Sequence, residues 1–294
     1  MAYLITPAHR LHYKTLGPPT LPPLLILHGF LGSCEDFTGV LPLLSKHFYC
    51  ILPDLPGHGQ TSGQIADKTT SEIASEATTL EDCYSFLETG RSLISLLDHL
   101  QRERTNVLGY SMGGRIALYL AFHYPARIEK TILESASPGL QTAAERQSRR
   151  EKDEAIACQL ETRPLLEFLS TWYANPLFAS LQHYPAAKAA MLKRRQNNDP
   201  IELAKALRGL GTGRQPSLWP HLQRMDFSLM LMVGIDDKKF VDLAQEIAKE
   251  CENSSKGNVV LDLFEGCGHN IHLEIAQKSP EVYVDIVLSF ISAC

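Results

Sequence analysis

Gly109-Tyr110-Ser111-Met112-Gly113 sets a serine among small neighbours in a G-x-S-x-G arrangement. A serine hydroxyl is inert until a neighbouring base takes its proton, and it must stand clear of its own backbone to react. A sharp strand-to-helix turn meets the second need, because the strained turn lifts the side chain and tolerates only small residues beside it. The flanking residues fit such a turn. Residues 106–108 read as a short buried strand. Residues 114–124 read as a helix, apolar at Ile116, Leu118, Leu120 and Ala121, with Pro125 just beyond its stop. The N-terminus of that helix offers free N–H groups and a positive dipole end to developing negative charge.

Partners for Ser111 follow in the order acid, then imidazole. Leu231 to Asp237 places a carboxylate just past an apolar run, and Glu265-Gly266-Cys267-Gly268-His269 places an imidazole just past the next. Serine, aspartate and histidine in that order make an α/β-hydrolase type of triad, in which the carboxylate fixes the tautomer of the histidine. Asp237, three residues past Gly234, is the preferred acid. Its neighbour Asp236 and the more distant Glu134 are the alternatives, and either aspartate could instead simply cap a helix starting near Phe240. The backbone N–H groups of Phe30 and Met112 are expected to form an oxyanion hole. His28 and His58 fit a loop-bracing role better than chemistry. Arg115 lies one helical turn after Ser111, on the same face, where a cation could hold a substrate carboxylate.

These groups need a scaffold that brings strand ends together, and the chain alternates accordingly. Apolar runs at 24–27, 48–52, 106–108, 130–133, 229–233 and 259–264 read as strands. Residues about 80–100, 114–124, those from 240 onward and 280–290 read as helices. The pattern predicts an α/β fold with a mostly parallel central sheet and helices on both faces. From about 138 to 224 there are helical patterns and no convincing strand. The expected organisation is therefore a core of 1–137 and 225–294 carrying a helical cap inserted at 138–224. That insert holds thirteen Lys and Arg against eight Asp and Glu, a net +5, leaving −10 on the rest. A basic lid over a serine suggests an anionic substrate, although most such charges are expected on solvated helix faces.

Composition excludes several classes. At 294 residues the chain can bury a large single core. A net charge of −5 suggests neither a nucleic-acid binder nor a disordered chain. No apolar run reaches membrane-spanning length, and the first residues lack the basic segment and apolar core of an export signal. Seven scattered cysteines, with no C-x-x-C, fit reduced thiols and a cytoplasmic location better than disulfides or a zinc site.

Nearly the whole chain resembles the α/β-hydrolase superfamily, and several segments resemble one branch of it, the 2-succinyl-6-hydroxy-2,4-cyclohexadiene-1-carboxylate synthases of menaquinone and phylloquinone biosynthesis. The segments are Gly109-Tyr110-Ser111-Met112-Gly113-Gly114-Arg115, and Ser137-Pro138-Gly139-Leu140-Gln141 with Glu145-Arg146 and Arg149-Arg150 after it. They continue with the run from Trp172 to Leu181, then Leu207-Arg208-Gly209-Leu210-Gly211-Thr212-Gly213, and Cys267-Gly268-His269-Asn270. The Trp-Tyr-x-x-Pro-x-Phe and Gly-Thr-Gly segments are far more selective than the G-x-S-x-G turn. The resemblance implies a lyase that eliminates pyruvate from 2-succinyl-5-enolpyruvyl-6-hydroxy-3-cyclohexene-1-carboxylate without metal or organic cofactor. It implies that Ser111, polarised by His269 and Asp237, removes a ring proton. It also implies that Arg115, Arg149 and Arg195 hold the three carboxylates, the last with Lys193 and Arg194 adjacent in register, and that Tyr110 and Trp172 line the pocket. A serine hydrolase, an esterase or carbon–carbon bond hydrolase acting on an anionic substrate, is the second reading. A non-catalytic binding protein is the third, and a complete triad argues against it.

Overall fold

The computed structural model describes residues 2–63, 82–252 and 257–293. Its strands are β1 (Ala2–Ile5), β2 (His9–Leu16), β3 (Pro23–Leu27), β4 (Tyr49–Pro53), β5 (Ser62–Gly63), β6 (Thr105–Tyr110), β7 (Ile128–Glu134), β8 (Ser228–Gly234) and β9 (Val259–Phe264). They form one sheet in the order β1-β2-β4-β3-β6-β7-β8-β9, with β5 paired to β2. From β4 to β9 every neighbouring pair is parallel, and the pairs made by β2 with β1, β4 and β5 are antiparallel.

The helices are α1 (Leu41–Leu44), α2 (Phe86–His99), α3 (Met112–His123), α4 (Ala143–Thr162), α5 (Leu165–Trp172), α6 (Pro185–Arg195), α7 (Pro200–Leu210), α8 (Trp219–Leu222), α9 (Lys238–Cys251), α10 (Ile271–Ile275) and α11 (Pro280–Ser292). Alternate residues of a strand face opposite sides, so each central strand feeds two cores. Leu25, Leu27, Val107, Leu231 and Val233 pack with Leu93, Leu97, Ile116 and Ile247 of α2, α3 and α9. Leu24, Ile26, Leu108, Met230 and Met232 pack on the other face with Leu44, Tyr283 and Val287 of α1 and α11. Each such buried side chain contributes about 1.5–3 kcal/mol.

Between β7 and β8 the described chain is helical, from α4 to α8, with a 3-10 segment at Pro176–His183. This stretch has an apolar core of its own, including Leu160, Leu169, Tyr173, Leu181 and Leu203, seated on Leu31 of the loop after β3 and Leu273 of α10. One expected boundary needs correction. The helix read at about 80–100 begins at Phe86, because the Ser85 side chain caps it by accepting from the Glu88 amide. Residues 82–84 form a 3-10 turn, and residues 80 and 81 lie outside the described residues.

Candidate active site

Ser111 closes β6 and opens α3 with φ of +50° and ψ of −106°, a backbone conformation that costs of order 1–3 kcal/mol for a non-glycine residue. Sheet pairing holds it there, since the Ser111 amide donates to the Glu134 carbonyl at 2.8 Å. The turn is tight enough that a Cβ on Gly113 would run into the Leu27 carbonyl, and one on Gly109 into the Gly113 backbone.

His269 Nε2 lies 3.2 Å from Ser111 Oγ. Its Nδ1 lies 2.6 Å from Asp237 Oδ2, so Nδ1–H donates to the carboxylate and Nε2 is free to accept the serine proton. Asp237 sits in the turn after β8, its amide donating to the Gly234 carbonyl at 3.0 Å. Asp236 is exposed, and its amide is tied to the Cys267 carbonyl. Glu134 is engaged elsewhere, accepting from His272 Nδ1 at 2.7 Å, from the His272 amide and from the Tyr283 hydroxyl. The His269 ring is packed against Phe240 at 4.7 Å and Tyr110 at 5.5 Å between centroids.

The loop after β3 carries Phe30, whose ring meets His58 and Trp172 edge-on. His28 donates from Nδ1 to the Gly29 carbonyl and accepts at Nε2 from the Leu55 amide, both at 2.8 Å. It thus ties the loops after β3 and β4 together. Burial lowers the pKa of both His28 and His58, that of His58 to about 3.

Ser111 and His269 open into a cavity of about 750 Å3 that Asp237, Phe30, Met112, Tyr110, Arg115, Arg149 and Trp172 also line. Arg115 donates to the Leu210 carbonyl at the end of α7 at 2.7 Å. Burial first, and the Arg149 charge second, pull its pKa down to about 9, so it remains a cation at neutral pH. Arg149 Nε donates to Asp153 at 2.7 Å, and the Gly213 amide donates to the same carboxylate. The Gly-Thr-Gly segment therefore anchors the acid that aims Arg149.

Arg195 is not in the cavity lining. It forms a bidentate pair with Asp36, at 3.1 and 2.9 Å, and both side chains are almost wholly buried. Burial opposes the Asp36 charge, but Arg195 outweighs it and holds the carboxyl below the ordinary range. Lys193 and Arg194 do not line the cavity either. Of the thirteen cations at 138–224, the lining includes Arg149 and Lys152, so most of that charge faces away from the serine. The sequence reading missed Lys152, Lys238, Lys239 and Phe240 at the cavity, and Asp36 and Asp153 as partners of arginines. The i,i+4 spacing of Arg149 and Asp153 was a readable signal. The Asp36–Arg195 pair, 159 residues apart, carried none.

A match to the α/β hydrolase fold family extends over residues 22–275. The chain is 33% identical to 2-succinyl-6-hydroxy-2,4-cyclohexadiene-1-carboxylate synthase of Pectobacterium atrosepticum, over 93% of this chain and 95% of that protein. It is also 33% identical to Protein PHYLLO, chloroplastic, of Arabidopsis thaliana over 85% of its own length, but spans only 14% of that protein. Among solved structures, MenH from S. aureus superposes with a TM-score of 0.79 at 29% identity, covering 96% of this chain and 97% of that one. A serine elbow on a parallel sheet, and near full-length likeness to these enzymes, place the chain in the α/β-hydrolase fold family, in its branch of 2-succinyl-6-hydroxy-2,4-cyclohexadiene-1-carboxylate synthases.

Proposed function

We propose that this chain is a lyase that eliminates pyruvate from 2-succinyl-5-enolpyruvyl-6-hydroxy-3-cyclohexene-1-carboxylate, giving 2-succinyl-6-hydroxy-2,4-cyclohexadiene-1-carboxylate. The observation that carries this reading is the hydrogen-bonded Ser111, His269 and Asp237 side chains opening into a cavity with Arg115 and Arg149, in a chain of this family. The names of substrate and product fix the bond changes. The ring double bond moves from C3=C4 to C2=C3 and C4=C5, so the proton leaves C2 and the C5–O bond breaks. The C2 proton is acidified by the adjacent succinyl ketone. Ser111 Oγ takes it while passing its own proton to His269 Nε2, and Asp237 stabilises the imidazolium. The ketone oxygen gains negative charge, which the Phe30 and Met112 amides stabilise, each such donor contributing roughly 2.7–4 kcal/mol. The dienolate then expels the C5 oxygen, and the departing pyruvate enolate takes up a proton to become pyruvate.

In this reading Tyr110 and Trp172 shape the pocket walls, and 138–224 is the cap over a core of 1–137 and 225–294. The reaction consumes a small-molecule tricarboxylate and calls on no metal or organic cofactor. A cytoplasmic location accords with the scattered cysteines, and no described helix is long and apolar enough to cross a membrane. A serine hydrolase is the second reading, because a Ser–His contact of 3.2 Å would serve acyl transfer equally well. Supplying the enolpyruvyl substrate separates them. Stoichiometric pyruvate and conjugated diene, unaffected by a chelator, with poor hydrolysis of activated esters, is the expected result. Efficient ester turnover without pyruvate would move the chain to the hydrolase reading.

A further inference from the structure

The proposed substrate carries three carboxylates, yet among the described residues the guanidinium groups lining the cavity are those of Arg115 and Arg149, with Arg195 spent on Asp36. The other cations in the lining are Lys152 on α4 and Lys238 and Lys239 in the first turn of α9. Lysines in a first helical turn face the positive end of the dipole, and Asp237 at the N-cap with Asp236 before it stand beside them on the same wall. Neither lysine has an ion-pair or hydrogen-bond partner among the described residues. Lys239 Nζ lies 5.7 Å from the Phe240 ring, and that ring packs on His269 at 4.7 Å. These two charges therefore stand on the α9 wall beside the base, while Arg115 and Arg149 stand on α3 and α4.

We propose that Lys238 and Lys239 hold the carboxylate of the enolpyruvyl arm, the part of the substrate that departs. The inference rests on the lyase reading above. Both lysines are exposed, so they sit where an anion can leave. An ammonium is a compact, strongly hydrated point charge, suited to releasing its partner to water. The half-exposed Arg149 and buried Arg115 suit the arms that remain on the ring in the product. A cation at the departing arm also offsets the charge that grows as the C5–O bond breaks, so the lysines act on kcat as well as KM.

The test is a Lys238→Met/Lys239→Met double variant, with Lys249→Met on the far, exposed end of α9 as control. Diene formation is followed by absorbance, with added pyruvate as inhibitor. In the double variant kcat/KM should fall about tenfold or more, inhibition by pyruvate should weaken comparably, and thermal midpoint should stay unchanged. The Lys249 variant should match wild type. Unchanged kinetics would overturn the proposal. So would a loss of kcat/KM with pyruvate inhibition intact, or both effects appearing in Lys152→Met instead. If wild type formed no diene the lyase reading itself would fail, and calorimetric titration of pyruvate into wild type and double variant would still test the lysine site.

Discussion

Ser111, His269 and Asp237 are linked by two hydrogen bonds in series, so removing any one disables the same proton transfer. Ser111→Ala and His269→Ala should each lower kcat by orders of magnitude, and the double variant should be little worse than the worse single one. Asp237→Asn should also be strongly impaired, because an amide leaves His269 without its anionic partner. Asp236→Asn should stay near wild type, because His269 Nδ1 meets Asp237 and the Asp236 side chain is exposed. The reverse outcome for the two aspartates would show that the acid is misassigned. The arginines separate in the same kinetic assays. Arg115→Ala and Arg149→Ala should lose about 1.5–3 kcal/mol in kcat/KM, a tenfold to more than hundredfold effect, with Lys restoring only part because it lacks the planar fork. Normal kcat/KM in either variant would remove that residue from substrate binding. The serine, its two hydrogen-bonded partners and the cavity position of Arg115 were legible in the sequence because each follows a strand or helix whose end can be read locally. Arg149 and Arg195 were reached through family likeness, and only one of them stands in the cavity.

At the scale of elements, the central parallel strands were readable because they are continuous apolar runs buried on both faces. The antiparallel strands β1, β2 and β5 were not. β2 is His-Arg-Leu-His-Tyr-Lys-Thr-Leu, polar enough to pass for a loop, and β5 is two residues long. How the helical insertion attaches was equally hidden, since it depends on pairs far apart in sequence. Arg195 at the end of α6 and Asn198 just beyond it fasten it. Arg195 meets Asp36 in the loop after β3, while Asn198 donates to the Leu31 carbonyl and accepts from the Gly59 amide. Arg195→Ala should therefore act first on the fold. It strands a buried carboxylate, which costs about 3–5 kcal/mol, and a urea midpoint should report the loss. An Asp36→Leu/Arg195→Met double variant should recover much of that stability. An unchanged midpoint with a purely kinetic loss in Arg195→Ala would mean that the guanidinium leaves Asp36 to serve the substrate.

For the molecule as a whole, the packing that builds the site also sets its response to acid. Burial pulls the pKa of His9 down to about 4 and that of His58 to about 3, and lowers that of His28 as well. His9 and His58 are therefore neutral in the folded protein at pH 5, whereas unfolded histidines titrate near 6.5. Below that value the unfolded chain binds more protons than the folded one, so stability rises with pH and falls as acid is added. His9 and His58 each contribute about 1.4 kcal/mol of lost stability per pH unit between about 6.5 and the folded value, and His28 acts in the same direction. Asp54, held at about 2 despite burial by its hydrogen bonds with His12 and backbone amides, adds a loss of the same sign only below about 4. The steep part of the acid limb should thus lie between pH 6.5 and 4, where histidines rather than carboxylates take up protons. Urea midpoints measured across that range should fall steadily. His58→Gln should flatten the slope by about one proton, because glutamine cannot titrate and its amide can still reach the Pro56 carbonyl that His58 Nδ1 meets at 3.0 Å. A variant slope equal to wild type would show that His58 takes no part, and midpoints that rose toward pH 4 would contradict the burial argument for all three histidines.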